Sequence, residues 1–308
     1  MYYNTAKDGL VSLWTKGCQQ SPEGWVSLTM MQPVRPDAAG PESQSADGGG
    51  LPPVHLARVY QRLLEVYGEP VWRPSGEPLG ELIGTILSQH TSDVNSERAY
   101  GQLRAAFPAW EELLATPTER LAAVIRCGGL ANLKARRIQE VLAELARRRE
   151  AQAECAPATA GGESLEAFLC AELRRRQPLE AWEYLQELPG VGPKTAACVL
   201  LFALGWPVMP VDTHVHRVAR RLGLLGPKVS AEQAHVLLAQ MTPPAWVYAL
   251  HVNLIRHGRR VCLAQRPRCP ACPLLSECRY AGGLLAEEGA AALSAGQAAA
   301  APSSIEEH

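Results

Sequence analysis

Apolar residues recur every three or four positions through most of this sequence, and alternation at a spacing of two is nearly absent. That periodicity admits helices and little else. Val59, Leu63, Val66 and Tyr67 share one face of a helix expected over residues 54–67. Thr116-Pro117-Thr118-Glu119 has the form of a capping box with proline at the first helical position, opening a helix that runs to Ile125. Gly128-Gly129 stops it. Ile138, Val141, Leu142 and Leu145 mark an amphipathic helix over 132–149. Ser230-Ala231-Glu232-Gln233 is a second capping box, starting a helix to Met241, and 244–257 make the next helix. Residues 207–211 are too short and too proline-rich for a strand. The chain is therefore expected to be all-α.

The two ends have a different composition. Residues 32–53 are rich in Pro, Gly, Ser and Ala and read as a linker, and 1–31 show no sustained periodicity. Residues 1–50 are thus expected to be a flexible extension. From 283 onward Ala, Gly, Ser and Glu prevail, the composition of a disordered tail, and 150–163 reads as an inserted loop. Between the ends, an apolar content of 47% supports a packed core. With a mean hydropathy of −0.09, and no run approaching ~18 apolar residues, an integral membrane protein is excluded. The start lacks the basic-then-apolar layout of a secretory leader, so a cytoplasmic protein is expected.

The formal net charge of −1 conceals an asymmetry. Residues 188–282 hold 11 basic and three acidic side chains, whereas 51–187 hold 16 basic and 19 acidic. Such a local excess suits a polyanionic partner. Only Lys7, Lys16, Lys134, Lys194 and Lys228 are lysines among the 30 basic residues. Arginine serves wherever charge suffices, so each lysine raises a question of chemistry. The nine cysteines carry no export signal with them, and read better as metal ligands or buried thiols than as disulfides.

Leu188-Pro189-Gly190-Val191-Gly192-Pro193-Lys194-Thr195-Ala196 lies between a short helix at 179–187 and another at 193–204. Two glycines two apart suit a tight turn with positive φ, and Pro193 suits a first helical position. Such a turn presents backbone N–H groups that hold a phosphate without reading base sequence. The same glycines also suit an ordinary helix–helix corner. Eighteen residues after Lys194 comes Asp212, within Val211-Asp212-Thr213-His214. Hairpin and V-D-T-H together resemble the endonuclease III family of the helix-hairpin-helix DNA glycosylase superfamily, over roughly 55–282.

That resemblance implies a catalytic lysine at Lys194 and a catalytic aspartate at Asp212. An amine can attack the anomeric carbon of a deoxynucleotide, displace the base and leave a Schiff base from which phosphate is eliminated. Arginine, always protonated, does not. The positive helix end and nearby arginines are expected to lower the pKa of Lys194. A simple phosphate contact is the plainer role for this lysine. Asp212 precedes a helix beginning at Thr213, where it also suits an N-cap. His214 and His216 either contact a phosphate or pack.

Cys262, Cys269, Cys272 and Cys278 form the pattern C-x6-C-x2-C-x5-C. Four thiols so close in sequence are expected to hold zinc or an iron–sulfur cluster. The spacing matches the family's [4Fe–4S] ligands, with Arg266 and Arg268 on a loop that the family sets against DNA phosphates. In the same way Gln89 or His90 resembles the residue that fills the space left by a flipped base, and Leu130 the leucine that wedges beside the orphan base. Gly190, Val191, Gly192, Thr195 and His214 complete the expected DNA-binding set. The resemblance implies a six-helix barrel at 71–206, with the hairpin at about 180–205, and a cluster domain of 51–70 with 207–282. The active site lies in the cleft between them. The expected protein is a monomeric, nucleoid-associated, bifunctional DNA glycosylase and abasic-site lyase acting on oxidised pyrimidines in duplex DNA. A monofunctional adenine-removing relative and a non-catalytic DNA binder are the rivals.

Overall fold

A computed structural model describes residues 53–155 and 163–283. The extension, most of the inserted loop and the tail lie outside the described residues. Among the described residues there is no strand, and the helices are α1 (Pro53–Tyr67), α2 (Pro78–Ser88), α3 (Asp93–Ala106), α4 (Glu112–Ala115), α5 (Thr118–Val124), α6 (Ala131–Cys155), α7 (Leu165–Arg174), α8 (Pro178–Gln186), α9 (Pro193–Val199), α10 (Thr213–Leu222), α11 (Ala231–Met241) and α12 (Val247–Arg260).

Three local expectations need correction. Helix α6 continues to Cys155, so the first residues of the 150–163 segment are helical. Alanine, glutamine and glutamate there are sound helix formers, and the polar composition concealed it. The box at Thr116 does not form. Thr116 Oγ1 instead donates back to the Glu112 carbonyl at 2.7 Å, and Pro117 takes the cap position. Helix α9 does not run on to residue 204 but gives way at Leu200 to a π-helical turn, Leu200–Leu204. That turn ends at Gly205, with φ of 72°. The Trp72 ring lies where a Cβ would stand, 2.1 Å away, so only glycine fits. By contrast, the Ser230 box is complete, with Ser230 Oγ accepting from Gln233 N and Gln233 Oε1 from Ser230 N.

The apolar stripes pack into two clusters. Leu79, Leu82, Ile83, Leu103, Leu121, Ile138, Leu142, Leu169, Leu185 and Leu200 belong to the first. Leu56, Val59 and Leu63 of α1 join Leu201, Val215, Val218, Leu222, Leu250 and Leu254 in the second. Each fully buried leucine contributes roughly 2 kcal/mol by area. The clusters part between Leu200 and Leu201, inside the π turn. Helix α1 therefore packs with the C-terminal helices. His55 Nε2 meets the Leu222 carbonyl at 3.1 Å, and Asn253 Nδ2 donates to the Gly68 carbonyl at 3.0 Å.

Helix α2 is buried on all sides from Pro78 to Leu87. Its first N–H groups are satisfied by a distant side chain. Glu166 of α7 accepts from Leu79 N at 2.8 Å, Gly80 N at 2.9 Å and Trp110 Nε1 at 3.2 Å. Burial pushes this carboxyl up to about 7 despite those donors. The cap fixes α2 along its axis, and with it the residues at its C-terminal end.

Candidate active site

The hairpin turns at Gly190, whose φ is 69°. That left-handed backbone calls for glycine, and the Arg137 side chain lies over it, with Nε 2.5 Å from the place of a Cβ. Val191 is buried in the first cluster and anchors the turn. Trp182 Nε1 donates to the Pro193 carbonyl at 3.0 Å, binding α8 to the first turn of α9. This places Lys194 in the wall of a cleft of about 660 Å³.

Several elements line that cleft. Helix α2 supplies Glu81, Thr85 and Ser88, followed by Gln89 and His90; α9 supplies Lys194 and Cys198; the start of α10 supplies Asp212 and His214; α12 supplies His251 and Arg259. Asp212 caps α10, its Oδ1 accepting from Val215 N at 2.7 Å. The carboxylate is thus fixed by the backbone while facing the lysine. His251 Nδ1 lies 2.9 Å from the Pro210 carbonyl, and burial pushes its imidazole down to about 4, so it is neutral at pH 7. His214 Nδ1 lies 3.0 Å from Arg217 Nη2, and burial pushes it down too. His216 also lines the cleft, with Nε2 2.9 Å from the Val229 carbonyl. A larger groove of about 810 Å³ between α6 and α7 is walled by Glu111, Arg149, Glu163 and Arg175, and offers no comparable nucleophile.

Lys194 departs from expectation in its electrostatics. Its pKa is raised, with Cys198 as the foremost cause. The thiol lies one helical turn on. Burial opposes the shift, and Asp212 and Glu81 add to it. Cys198 in turn is pushed up by burial and drawn down by Lys194. The positive helix end is outweighed by acidic neighbours that arrive from α2 and α10. Thr195, at the start of α9, is buried, with 5% of its surface exposed.

Of the expected gap-filling residues, Gln89 and His90 line the cleft, and Leu130 stands on a separate loop. Among the described residues only His90, Leu130 and Arg266 combine a side chain with a left-handed backbone, at φ of 53°, 48° and 49°. Such conformations are uncommon outside glycine and gather at functional sites. Leu130 is 54% exposed. His90 is exposed, whereas Gln89 is half-buried and its Oε1 accepts from Arg137 Nη1 at 3.0 Å.

Cys262, Cys269, Cys272 and Cys278 line one small cavity with Val218, Leu222, His257 and Ala281. Arg221 Nη1 donates to Cys262 Sγ at 3.4 Å, and Cys278 Sγ donates to the Arg221 carbonyl at 3.4 Å. Burial, then the neighbouring thiols, pushes Cys272 and Cys278 up. Among the described residues no three His, Cys, Asp or Glu side chains converge on one ion position. Arg266 and Arg268 stand exposed on the loop between the first two cysteines.

A profile described as HhH-GPD superfamily base excision DNA repair protein matches residues 83–244. The chain belongs to the HhH-GPD superfamily of base excision DNA repair proteins. Within the superfamily it is of the endonuclease III type. Endonuclease III of Thermotoga maritima is 32% identical over 204 residues, covering 66% of this chain and 84% of that one. A protein of Arabidopsis thaliana named as a DNA glycosylase is 35% identical over 182 residues, 59% of this chain and 56% of that longer protein. A non-covalent complex of an endonuclease III with DNA superposes with a TM-score of 0.60 at 29% identity, covering 76% of this chain and 99% of that one.

Glu81, Cys198 and His251 were missed from sequence as members of an HhH-GPD cleft. Cys198 lies four residues after Lys194, and Glu81 is a lone carboxylate in an apolar run, so both carried a local signal. His251 comes from α12 and carried none.

Lys194 and Lys134 should titrate on opposite sides of the ordinary 10.5, Lys194 above it and buried Lys134 below it. A pH titration of 13C-labelled lysine by NMR checks this, with assignment by single Lys→Arg variants. Cys198→Val should move the Lys194 midpoint downward. A Lys194 midpoint below 10.5 in the unaltered protein contradicts the account of the cleft.

Proposed function

We propose that this glycosylase is bifunctional, removing oxidised pyrimidines from duplex DNA and then cleaving the strand. The placement of Lys194 in the cleft, with Asp212 fixed opposite and Cys198 one turn away, carries the proposal. Lys194 rests as an ammonium and must first lose a proton. The Asp212 and Glu81 carboxylates are the groups near enough to draw it off. The freed lone pair of Nζ forms a bond to C1′ as the glycosidic bond breaks, and the base leaves with the bonding pair. The Asp212 carboxylate stabilises positive charge gathering on the sugar. Opening of the ring gives a lysine–sugar Schiff base. Loss of a proton from C2′ then expels the 3′ phosphate, and water releases the enzyme.

The basic stretch 188–282 suits the phosphate backbone, whose contacts position the protein without reading sequence. In this reading the hairpin backbone at Gly190 and Gly192, together with Arg266 and Arg268, contacts phosphates. His214, from the cleft wall, joins them. Exposed His90 fills the space of the flipped nucleotide, with Gln89 held behind it by Arg137, and Leu130 wedges beside the orphan base. Filling the gap offsets an unstacking cost of a few kcal/mol.

We also infer that the four cysteines hold a [4Fe–4S] cluster. A single zinc needs four ligands about 2.3 Å from one point, whereas a cluster takes its thiolates from the walls of a cavity. The cavity lined by Cys262, Cys269, Cys272 and Cys278 favours the second arrangement. Held by Cys262, Cys269, Cys272 and Cys278, such a cluster would pin both ends of the loop that carries Arg266 and Arg268.

Two measurements test these readings. Borohydride added to the protein on duplex carrying thymine glycol should trap a covalent adduct. Lys194→Ala should abolish it while lowering the salt dependence of binding by about one phosphate contact at most. Base release with no adduct makes the enzyme monofunctional, and binding with neither makes it a non-catalytic binder. Protein purified without oxygen should show visible absorbance from iron–thiolate charge transfer, lost in Cys272→Ser; a colourless protein containing stoichiometric zinc contradicts the cluster.

A further inference from the structure

Lys134, on the first turn of α6, is 3% exposed, although arginine carries nearly all other positive charge in the chain. Its ammonium donates to the Leu87 carbonyl at 2.7 Å and to the Gly128 carbonyl at 2.8 Å. These two carbonyls lie at the roots of the two gap-filling loops. Leu87 comes three residues before His90, and Gly128 two before Leu130. Both loops then enter left-handed backbone at those side chains. One turn further along α6, Arg137 donates to Gln89 Oε1 at 3.0 Å and lies over Gly190 of the hairpin. Residues three apart share a helix face. One face of α6 therefore touches both loops and the hairpin.

Burying an ammonium against neutral carbonyls is costly unless its donors are used. A compact ammonium on a flexible stem can join two carbonyls from separate segments, which a planar guanidinium fits poorly. An apolar side chain would satisfy simple packing at this place, so the charge calls for another explanation.

We propose that Lys134, with Arg137, is a positioning residue that ties the His90 and Leu130 loops into one unit, so that both enter the duplex together. The proposal rests on the glycosylase reading. The carbonyl hydrogen bonds hold the loop roots at a fixed separation. Insertion of one side chain then brings the other into register, instead of each loop searching alone.

Duplex opening can be read without chemistry. A 2-aminopurine beside a tetrahydrofuran abasic analogue brightens when its stack is opened, and stopped-flow mixing gives the rate. The wild type should brighten a fully paired duplex. Lys134→Met, and Lys134→Gln should Met prove unstable in a thermal melt, should do so at least about tenfold more slowly. On a duplex in which the analogue already sits in an unpaired bulge, both variants should keep the wild-type rate within about twofold. In the wild type, His90→Ala and Leu130→Ala should be non-additive on the paired duplex, and in the Lys134 variant they should become additive. Equal slowing on paired and bulged DNA shows a merely structural lysine and overturns the proposal, as does no slowing at all. A wild type that brightens neither substrate, and traps no adduct, overturns the glycosylase reading instead.

Discussion

Helix α2 is buried on every side, and the cleft depends on that burial. A helix without a solvent face must take its position from its neighbours. Here Glu166 holds its N-terminus and Lys134 holds its C-terminal end. Between these two points α2 offers Glu81 and Thr85 to the cleft. It delivers Gln89 and His90 to the rim. A slip of α2 along its axis would change the neighbours of Lys194 and the reach of the loop at once. The chemistry and the duplex opening therefore share one rigid element.

The electrostatics divide the molecule into two regimes. The outer surface of 188–282 is rich in arginine, which suits long-range attraction to a polyanion. Inside the cleft the reverse holds, and the lysine is surrounded by Cys198, Asp212 and Glu81. A strongly basic cleft would grip the phosphates but would leave no group to receive the lysine proton. The acidic lining keeps the amine protonated at rest and places acceptors beside it. His251, held neutral by burial, adds no competing charge.

Legibility from sequence followed the range of the interactions. The hairpin, the Asp212 cap and the Ser230 box are encoded by residues within a few positions of one another, and the structure forms all three. Where another partner competes, local reasoning failed. The Thr116 hydroxyl prefers the Glu112 carbonyl to its own helix. The direction of the Lys194 shift depends on Glu81 and Asp212, which arrive from other helices. The scarcity of lysine did single out both Lys194 and Lys134. Only the fold distinguishes a cleft lysine from one that ties two loops.

The central claim is that one amine in this cleft becomes joined to the sugar. Peptide mapping of the borohydride-reduced adduct by mass spectrometry tests it most directly. The account predicts a deoxyribose remnant on Nζ of Lys194 and nowhere else. A remnant on another lysine or on the N-terminal amine would contradict it.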